Sequence, residues 1–416
     1  MTALLWPGDE RAGELMSDGA VLTAMVAAET AWLAALAATG VAPADAPRDL
    51  AELVGPGDLT EVTGRSEAGG NPVISVVALL RERAGPHSST GRWLHRGLTS
   101  QDVLDTALML CARDVLDRLR AESATQVAAL AELADRHRDT VMAGRTLTQQ
   151  AVPISFGIKA ASWLQGLLDA AEELTDLTLP AQFGGAAGTL AAAAEVAALS
   201  GSVEPAKTAL DLAARAAAAL GLPAGPPWHT ARATITRLGD ALVRCTDAYG
   251  RIANDVLTLS RPEIAELSES AAAGRGGSST MPQKVNPVLS VLVRRAALAG
   301  PAVAAQLHLA AAAAVDERPD GAWHTEWSAL QLLARRTVVA AAQTTELLAG
   351  LIVHTERMRA TADAAAAGLM AERRSLADLG PDPGSGSNDP ASYLGAAEEL
   401  VDAVLDRAAR YRGVGS

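Results

Sequence analysis

Lysine is scarce in this chain of 416 residues: only Lys159, Lys207 and Lys284 occur, so that 32 of the 35 basic side chains (35 − 3) are arginines. Because the chain supplies its cations as arginine almost everywhere, a retained lysine indicates a position that prefers a compact ammonium group. Acidic side chains outnumber basic ones by 48 to 35, which gives a net charge of −13. This balance argues against a nucleic-acid partner, since binding to phosphates needs a basic surface.

Cysteine and long hydrophobic runs are also sparse. Cys111 and Cys245 lie in helical apolar patterns without metal-ligand spacing, so we expect buried, reduced thiols and no metal or other cofactor. We find no uncharged, continuously apolar stretch of the roughly 18 residues that a membrane helix requires. Glu10, Arg11 and Asp18 interrupt the apolar residues near the start, which disfavours a signal or transit peptide. The expectation is a soluble cytoplasmic protein with no membrane partner.

Aromatic residues make up only 3% of the chain, whereas alanine, the best helix former, is abundant. Apolar residues recur at helical spacing over long segments with no strand-like alternation between them. The predicted helices cover residues 19–40, 72–83, 99–140, 153–178, 229–268, 287–315, 322–350 and 390–412. They indicate an all-α, elongated long-helix bundle. We expect an N-terminal helical domain (1–98), a central bundle carrying the active-site loops (99–350) and a C-terminal helical domain (351–416). The apolar faces look too wide for a monomer, which predicts an oligomer.

Four polar segments interrupt the helices: HRGLTSQD (95–102), GRTLTQQAVP (144–153), QFGGAAGT (182–189) and GGSSTMPQKVNP (276–287). In the first, Thr99 is a good N-cap, and Asp102 can reach back as a capping-box acid. The unpaired N–H groups of that first turn can bind an anion, although a plain cap explains them equally well. The second segment, alone, indicates a polar loop before a proline that opens a helix. The third is typical of close packing.

The fourth segment carries the densest chemistry. Its glycines allow movement and its prolines limit it, which favours a loop that closes over a ligand. Ser278 and Ser279 are candidate nucleophiles or bases, and Lys284 with Asn286 could hold a carboxylate. We therefore interpret this loop as functional.

The stretch GSSTMPQKVNP (277–287) resembles the signature of the fumarase/aspartase superfamily, and TSQD and GRTLTQQAVP resemble its other two signature regions. The resemblance implies an all-helical homotetramer whose active sites form where three subunits meet. It also implies that Ser278 is the catalytic base, acting on a proton alpha to a carboxylate. The substrate-binding residues implied in the same way are Lys284, Asn286, Thr99, Ser100, Thr146 and Gln149. Fixed donors at the carboxylate would stabilise the negative charge that develops there.

The substrate implied is a small anionic di- or tricarboxylate, so local cations have to outweigh the net negative charge of the protein. Besides Lys284, the candidates are His95, Arg145 and Arg318, with His229 and His324 open between a functional and a structural role. His95 is favoured because it precedes the candidate anion-binding turn at Thr99.

Leu147 is the informative departure from the superfamily pattern, because many members have histidine here (GRTH). Leucine cannot protonate a leaving group, whereas a carboxylate, with a pKa of about 4, leaves without a proton. That logic favours the 3-carboxy-cis,cis-muconate cycloisomerase branch, which the segments PPWHTARATI (226–235) and GAWHTEWSAL (321–330) also resemble. Gln283 and Val285 depart from that branch, where histidine and arginine are common.

Three alternatives remain. A lyase that expels another weakly basic anion, such as a nitrosuccinate lyase, tolerates Leu147 equally well. An adenylosuccinate lyase is disfavoured because it uses the missing histidine, and an argininosuccinate lyase, whose pattern Gln283 resembles, is also less favoured. A catalytically inactive structural homologue is disfavoured by the joint presence of Ser278, Lys284 and Asn286.

Overall fold

The computed structural model describes residues 4–270, 275–277, 280–281, 284–379 and 387–414. The α-helices in the first half are α1 (Asp18–Ala38), α2 (Asp58–Gly69), α3 (Pro72–Ala84), α4 (Ser89–Trp93), α5 (Ser100–Arg136), α6 (Phe156–Asp176), α7 (Ala191–Leu199) and α8 (Pro205–Ala219). Those in the second half are α9 (Ala233–Leu259), α10 (Val288–Ala312), α11 (Gly321–Ala349), α12 (Thr355–Ala364), α13 (Ala366–Leu369), α14 (Ala371–Leu376) and α15 (Ala397–Val414). Within the described residues there are also two antiparallel strand pairs: β1 (Val141–Thr146) with β2 (Gln149–Ser155), and β3 (Leu267–Glu269) with β4 (Leu351–Val353). Short 3-10 helices lie at Asp9–Ala12, Leu50–Leu53, Ala377–Leu379 and Pro390–Ser392.

The all-α prediction is confirmed, and the long helices lie where the apolar periodicity places them. Local sequence explains the ends of several helices. Ser17 caps α1 by accepting a hydrogen bond from the amide of Ala20. Asn71 caps α3, which begins at a proline, a residue that has no N–H to leave unpaired.

The segment 144–153 is not the predicted polar loop, and the helix predicted from residue 153 begins only at Phe156. The chain forms the hairpin β1–β2 instead, with Pro153 inside β2 opposite Ala143. The segment is too short for period-2 alternation to be recognised, and a bulge between Ala143 and Arg145 breaks its pattern further. The prediction of a strand-free chain therefore failed at this point.

The chain divides into two compact units. Unit 1 comprises residues 1–118, 177–242 and 301–338, and unit 2 comprises 119–176, 243–300 and 339–416. The division falls within α5, α9, α10 and α11. The three-part division into residues 1–98, 99–350 and 351–416 stays a prediction.

In unit 1, α1 packs against α3 and α8. Trp32 of α1 is fully buried and stacks on Phe183, with ring centroids 5.3 Å apart. Its indole N–H donates to the carbonyl of Arg96 at 2.7 Å. This bond fixes the segment that leads into α5.

In unit 2, α6 packs against α15, and the hairpin β1–β2 packs against α12. Val141 and Ala143 of β1 belong to a small buried cluster with Ala362 and Leu369. One side of the hairpin base is thus held by apolar contacts.

Within the described part of the chain, two helices, α1 and α10, are long and apolar enough to cross a membrane by length and mean hydropathy. The search for continuous apolar runs missed them because α1 contains Glu29 and α10 contains Arg294 and Arg295. Their most apolar windows are 61% and 39% buried, respectively. Such helices are weak evidence for a membrane span, because core helices of the same length and composition pass the same test.

Both cysteines are buried free thiols, as predicted. Burial raises the pKa of Cys111 to about 12 and that of Cys245 to about 12.

Candidate active site

The turn that opens α5 in unit 1 is held by one buried carboxylate, Asp102. The amide of Thr99 donates to its Oδ2 at 3.0 Å, so Asp102 reaches back as the predicted capping-box acid. The amides of Gly184 and Gly185 donate to the same carboxylate at 2.8 and 2.9 Å, and His229 Nε2 lies 3.1 Å from Oδ1. The glycine-rich segment and the turn of α5 are therefore locked together inside unit 1.

Gly184 illustrates why this segment needs glycine. A Cβ atom there would lie 2.7 Å from the His229 ring and 2.8 Å from Pro227. The close-packing interpretation of residues 182–189 is confirmed at this residue.

Arg318, one of the candidate cations, lies at this turn. Its Nη1 donates to Thr99 Oγ1 at 2.9 Å, and its guanidinium carbon lies 5.2 Å from the centroid of the Trp323 ring. Burial lowers the pKa of Arg318, although the charges of Asp102 and Asp105 oppose that effect. Within the described residues no carboxylate forms an ion pair with Arg318, so its remaining N–H groups can bind an anion.

A fully buried ionic cluster lies behind Arg318. Arg232 binds Asp105 with an Nη1–Oδ2 distance of 2.7 Å and Glu326 with an Nη2–Oε2 distance of 2.5 Å. Trp323 adds a hydrogen bond from its indole N–H to Asp105 Oδ1 at 2.9 Å. Burial raises the pKa of Glu326 despite the opposing bond to Arg232. The indole ring under Arg318 is therefore fixed through Asp105.

His95 lies just before the turn, with φ of 63°, in the left-handed region. Its Nδ1 is 2.5 Å from Oε1 of Glu29, a residue of α1 that is fully buried. Burial by itself would lower the pKa of His95, but the hydrogen bond and the charge of Glu29 outweigh burial and raise it. Ser100 is the first residue of α5, and its side chain is half-buried. His95, Thr99, Ser100 and Arg318 thus belong to one region of unit 1.

The hairpin of unit 2 carries the other predicted pocket residues. Thr146 and Gln149 pair across the two-residue turn, and both are exposed. Leu147 and Thr148 form that turn with φ of 47° and 71°. A hairpin turn with two positive φ values favours Asn-Gly, so a leucine there is sterically disfavoured. The Leu147 side chain is 96% exposed.

Arg145, at the base of this turn, is bound by a carboxylate of its own unit. Its Nη1 and Nη2 donate to the two carboxylate oxygens of Glu266 at 2.9 and 2.8 Å, a bidentate pair. Glu266 is fully buried. The charge of Arg145 is therefore already neutralised, and its substrate-binding role stays a prediction that this pairing does not favour.

The predicted catalytic loop is described only in part, since Ser278, Ser279 and Gln283 lie outside the described residues. The carbonyl of Gly276 accepts the backbone amide of Asn286 at 2.8 Å and its side-chain Nδ2 at 3.1 Å. Gly276 has φ of 76°, and a Cβ there would lie 2.7 Å from the carbonyl oxygen of Asn286. Lys284 and Val285 are both exposed. Asn286 thus closes the base of the loop, and its predicted contact with substrate stays open.

Glu269 of β3 forms a second set of hydrogen bonds, which joins β3 to the start of α10. Its carboxylate accepts the amides of Leu289 and Ser290 at 3.1 and 2.8 Å and the Ser290 hydroxyl at 2.7 Å. A carboxylate at the first turn of α10 also interacts favourably with the helix dipole. The loop therefore leaves and enters regular structure at two bonded points.

The two open histidines have structural partners. His229 is buried and bonded to Asp102, as described above. Both ring nitrogens of His324 face carbonyl oxygens, those of Asp320 and Gly70, each at 2.9 Å. Over the described residues, no group of three or more His, Cys, Asp or Glu side chains is arranged to hold a metal ion.

Sequence reasoning missed Glu29, Glu266 and the ionic cluster. Glu29 did carry a signal, because it is the one charged residue between Gly19 and Ala38 of an otherwise apolar helix. Glu266 and Glu326 carried none, because their arginine partners lie 121 and 94 residues away along the chain.

Comparisons with known proteins agree with this fold. A lyase family model matches residues 58–299. The nitrosuccinate lyase of Streptomyces davaonensis is 44% identical over 368 residues, which cover 86% of this chain and 76% of that protein. The 3-carboxy-cis,cis-muconate cycloisomerase of Bradyrhizobium diazoefficiens is 35% identical over an alignment 436 residues long, gaps included, that covers 94% of each chain.

The solved structure of 3-carboxy-cis,cis-muconate lactonizing enzyme from Pseudomonas putida superposes with a TM-score of 0.81 at 30% identity, over 96% of this chain and 97% of that one. The fold and the sequence relatives thus agree over nearly the whole chain. The chain belongs to the lyase family of the fumarase/aspartase superfamily and is an enzyme of that superfamily.

Proposed function

We propose that this enzyme eliminates a weakly basic anion from a substituted succinate to give fumarate, with nitrosuccinate as the substrate and nitrite as the anion. The observation that carries the proposal is Leu147 at the tip of the hairpin. Its exposed hydrocarbon side chain stands where many superfamily members have a histidine, and it offers no proton to a departing group.

The proposed reaction needs a base and an anion site, and no acid. Ser278 removes the proton from the carbon next to one carboxylate, and the electron pair of that C–H bond moves onto the carboxylate. The pair then forms the C=C bond of fumarate while the C–N bond breaks, and nitrite leaves with the electrons of that bond. An amine or hydroxide would need a proton at this step, whereas the anion of a stronger acid does not.

The distribution of cations supports a dicarboxylate. Within the described residues, Arg318 in unit 1 and Lys284 in unit 2 are predicted binding cations without a carboxylate partner. His95 is paired with Glu29 through Nδ1 only. Arg145 is bound by Glu266. Val285, with an uncharged side chain that is 71% exposed, stands where the cycloisomerases commonly have arginine. A third substrate carboxylate would therefore lack the arginine that is common at this position in the cycloisomerases.

The turn at Thr99 and Ser100 suits the carboxylate that accepts the charge. Its first amides lie at the positive end of α5, and Arg318 already touches the Thr99 hydroxyl. Donors fixed before the reaction stabilise a developing enediolate without having to reorganise.

The second candidate is 3-carboxy-cis,cis-muconate cycloisomerase, the leading interpretation from sequence alone. It is favoured by the match over 94% of both chains with the Bradyrhizobium enzyme, and its leaving carboxylate also needs no acid. It ranks second because of Val285 and because the nitrosuccinate lyase has the higher identity, at 44%.

Product analysis tests both candidates. We expect nitrosuccinate to yield nitrite and fumarate in equal amounts, with nitrite measured colorimetrically and fumarate by ultraviolet absorbance. Loss of the diene absorbance of 3-carboxy-cis,cis-muconate, with no nitrite from nitrosuccinate, would establish the second candidate. Turnover of neither substrate would reject both.

We further propose a homotetramer, on the resemblance together with one feature of unit 2. Val291 and Leu298 of α10 are seven residues apart, hence on one helix face, and they are 50% and 70% exposed. Burying such a face against another copy would remove apolar surface from water. Light scattering of the purified protein measures its mass in solution.

A further inference from the structure

The His95–Glu29 pair in unit 1 differs from the pairs of exposed histidines in the burial of its carboxylate. Glu29 is fully buried, and its Oε2 has no hydrogen-bond partner among the described residues, so His95 provides the one bond that they make to this carboxylate. A buried carboxylate with one bond is costly unless its partner carries a charge.

The backbone around His95 is fixed on both sides. Arg81 donates to the carbonyl of Leu94 at 3.1 Å, and Trp32 donates to the carbonyl of Arg96 at 2.7 Å. Between them His95 keeps the left-handed conformation, which costs a non-glycine residue on the order of 1–3 kcal/mol. The fold thus holds this ring in place against a local energetic cost.

The ring geometry leaves one nitrogen for a ligand. Nδ1 is occupied by Glu29, and 21% of the side chain is exposed, so Nε2 is the nitrogen that can face a bound molecule. We propose that Glu29 is a positioning residue that keeps His95 an imidazolium, whose Nε2–H donates to a substrate carboxylate at the Thr99–Ser100 turn. This inference rests on the proposed function, because it takes the ligand to be a carboxylate.

The charged groups around His95 agree with this role. Glu29 on α1 and Asp102 on α5 both favour the charged ring, and Arg81 on α3 opposes it. Because the pKa of His95 is raised, the imidazolium is present at low pH, persists to higher pH than for an ordinary histidine, and is lost as pH rises through the shifted pKa. Ligand binding should weaken over the same range.

The test is the substitution Glu29→Gln in the full-length enzyme. Glutamine keeps the shape and can still accept a hydrogen bond from Nδ1, but it removes the negative charge. We expect the basic limb of the kcat/KM profile to move to lower pH, with KM at pH 8 raised about tenfold and kcat changed less. Glu29→Asp, which restores the charge, should bring the profile back towards that of the wild type.

A matched control is available in the same unit. His308 and Asp240 form an exposed pair, with Nε2 2.8 Å from Oδ1. Asp240→Asn removes a carboxylate from a histidine in the same way, and we expect it to leave the kcat/KM profile unchanged. Thermal unfolding of each variant verifies that the protein is folded.

NMR titration of His95 separates this proposal from the proposed function, because it needs no turnover. A fall in the pKa of His95 in Glu29→Gln, together with weaker fumarate binding by calorimetry at pH 8, supports the proposal even if neither substrate is turned over. A fall in that pKa with unchanged fumarate binding and an unchanged kcat/KM profile would overturn it, as would a pKa that does not move.

Discussion

The turn of α5 in unit 1 differs from the hairpin tip and Lys284 in unit 2 in burial and in bonding. In unit 1, Asp102, Asp105 and Arg232 are fully buried, and each is bonded to several partners. In unit 2, the tip of the hairpin and Lys284 are exposed. The first region is fixed before a ligand arrives, which suits recognition of a carboxylate. The second presents side chains outward, which suits groups that act on a ligand.

The largest expected effect comes from removing the proposed base in unit 2. Ser278→Ala removes the proposed base, and kcat should fall by about 10²–10⁴-fold, the usual contribution of general base catalysis. KM and the native mass should change little, since the fixed turn of unit 1 is intact. Steady-state kinetics and light scattering measure both. Ser268→Ala, at a half-buried serine that pairs with His354, is the control and should keep full activity. Full activity in Ser278→Ala would reject that residue as the base.

The next largest effect comes from removing the cation of the buried ionic cluster in unit 1. Arg232→Met leaves Asp105 and Glu326 buried without their cation, and the free energy of unfolding should fall by about 3–5 kcal/mol. Urea denaturation measures it. The control is Arg215→Met, whose pair with Asp211 is 52% and 48% exposed, with an expected loss of at most about 1 kcal/mol. Equal small losses in the two variants would contradict the view that the buried cluster fixes the turn.

A smaller effect sharpens the distinction between binding and chemistry. Arg318→Gln removes hydrogen bonds to a charged group, worth about 1.5–3 kcal/mol, so KM should rise about 10- to 100-fold while kcat changes less. Arg318→Lys keeps the charge without the planar fork and should lie between the two. Arg65→Gln, at an exposed arginine of the same unit, should match the wild type. A loss confined to kcat would instead place Arg318 in the chemical step.

The sequence predicted the helices well because alanine-rich periodicity is a local property, and the capping box at Thr99 and Asp102 is local too. The sequence-based prediction failed at residues 144–153, which form a hairpin. That hairpin packs against α12, and its Arg145 pairs with Glu266, 121 residues away along the chain. No local signal reports such a pair.

The candidate site divides in the same way. Thr99 and Arg318 could be selected from motif and charge, and the structure brings them together at 2.9 Å. Arg145 was selected on charge alone, and sequence could not reveal that Glu266 occupies it. Glu29 was detectable as a lone charge in an apolar helix, but its partner, 66 residues away, was not.

The most direct measurement of the central claim, that the leaving group departs without an acid, compares nitrosuccinate with aspartate as substrates of the wild type and of Leu147→His. Histidine tolerates a positive φ better than leucine, so the hairpin should be preserved, and Leu147→Asn provides a control that suits the turn without supplying an acid. The account predicts that the wild type releases nitrite from nitrosuccinate and no ammonia from aspartate, and that Leu147→His gains nothing on nitrosuccinate. Substantial release of ammonia by the wild type, or a large gain on nitrosuccinate in Leu147→His but not in Leu147→Asn, would contradict it.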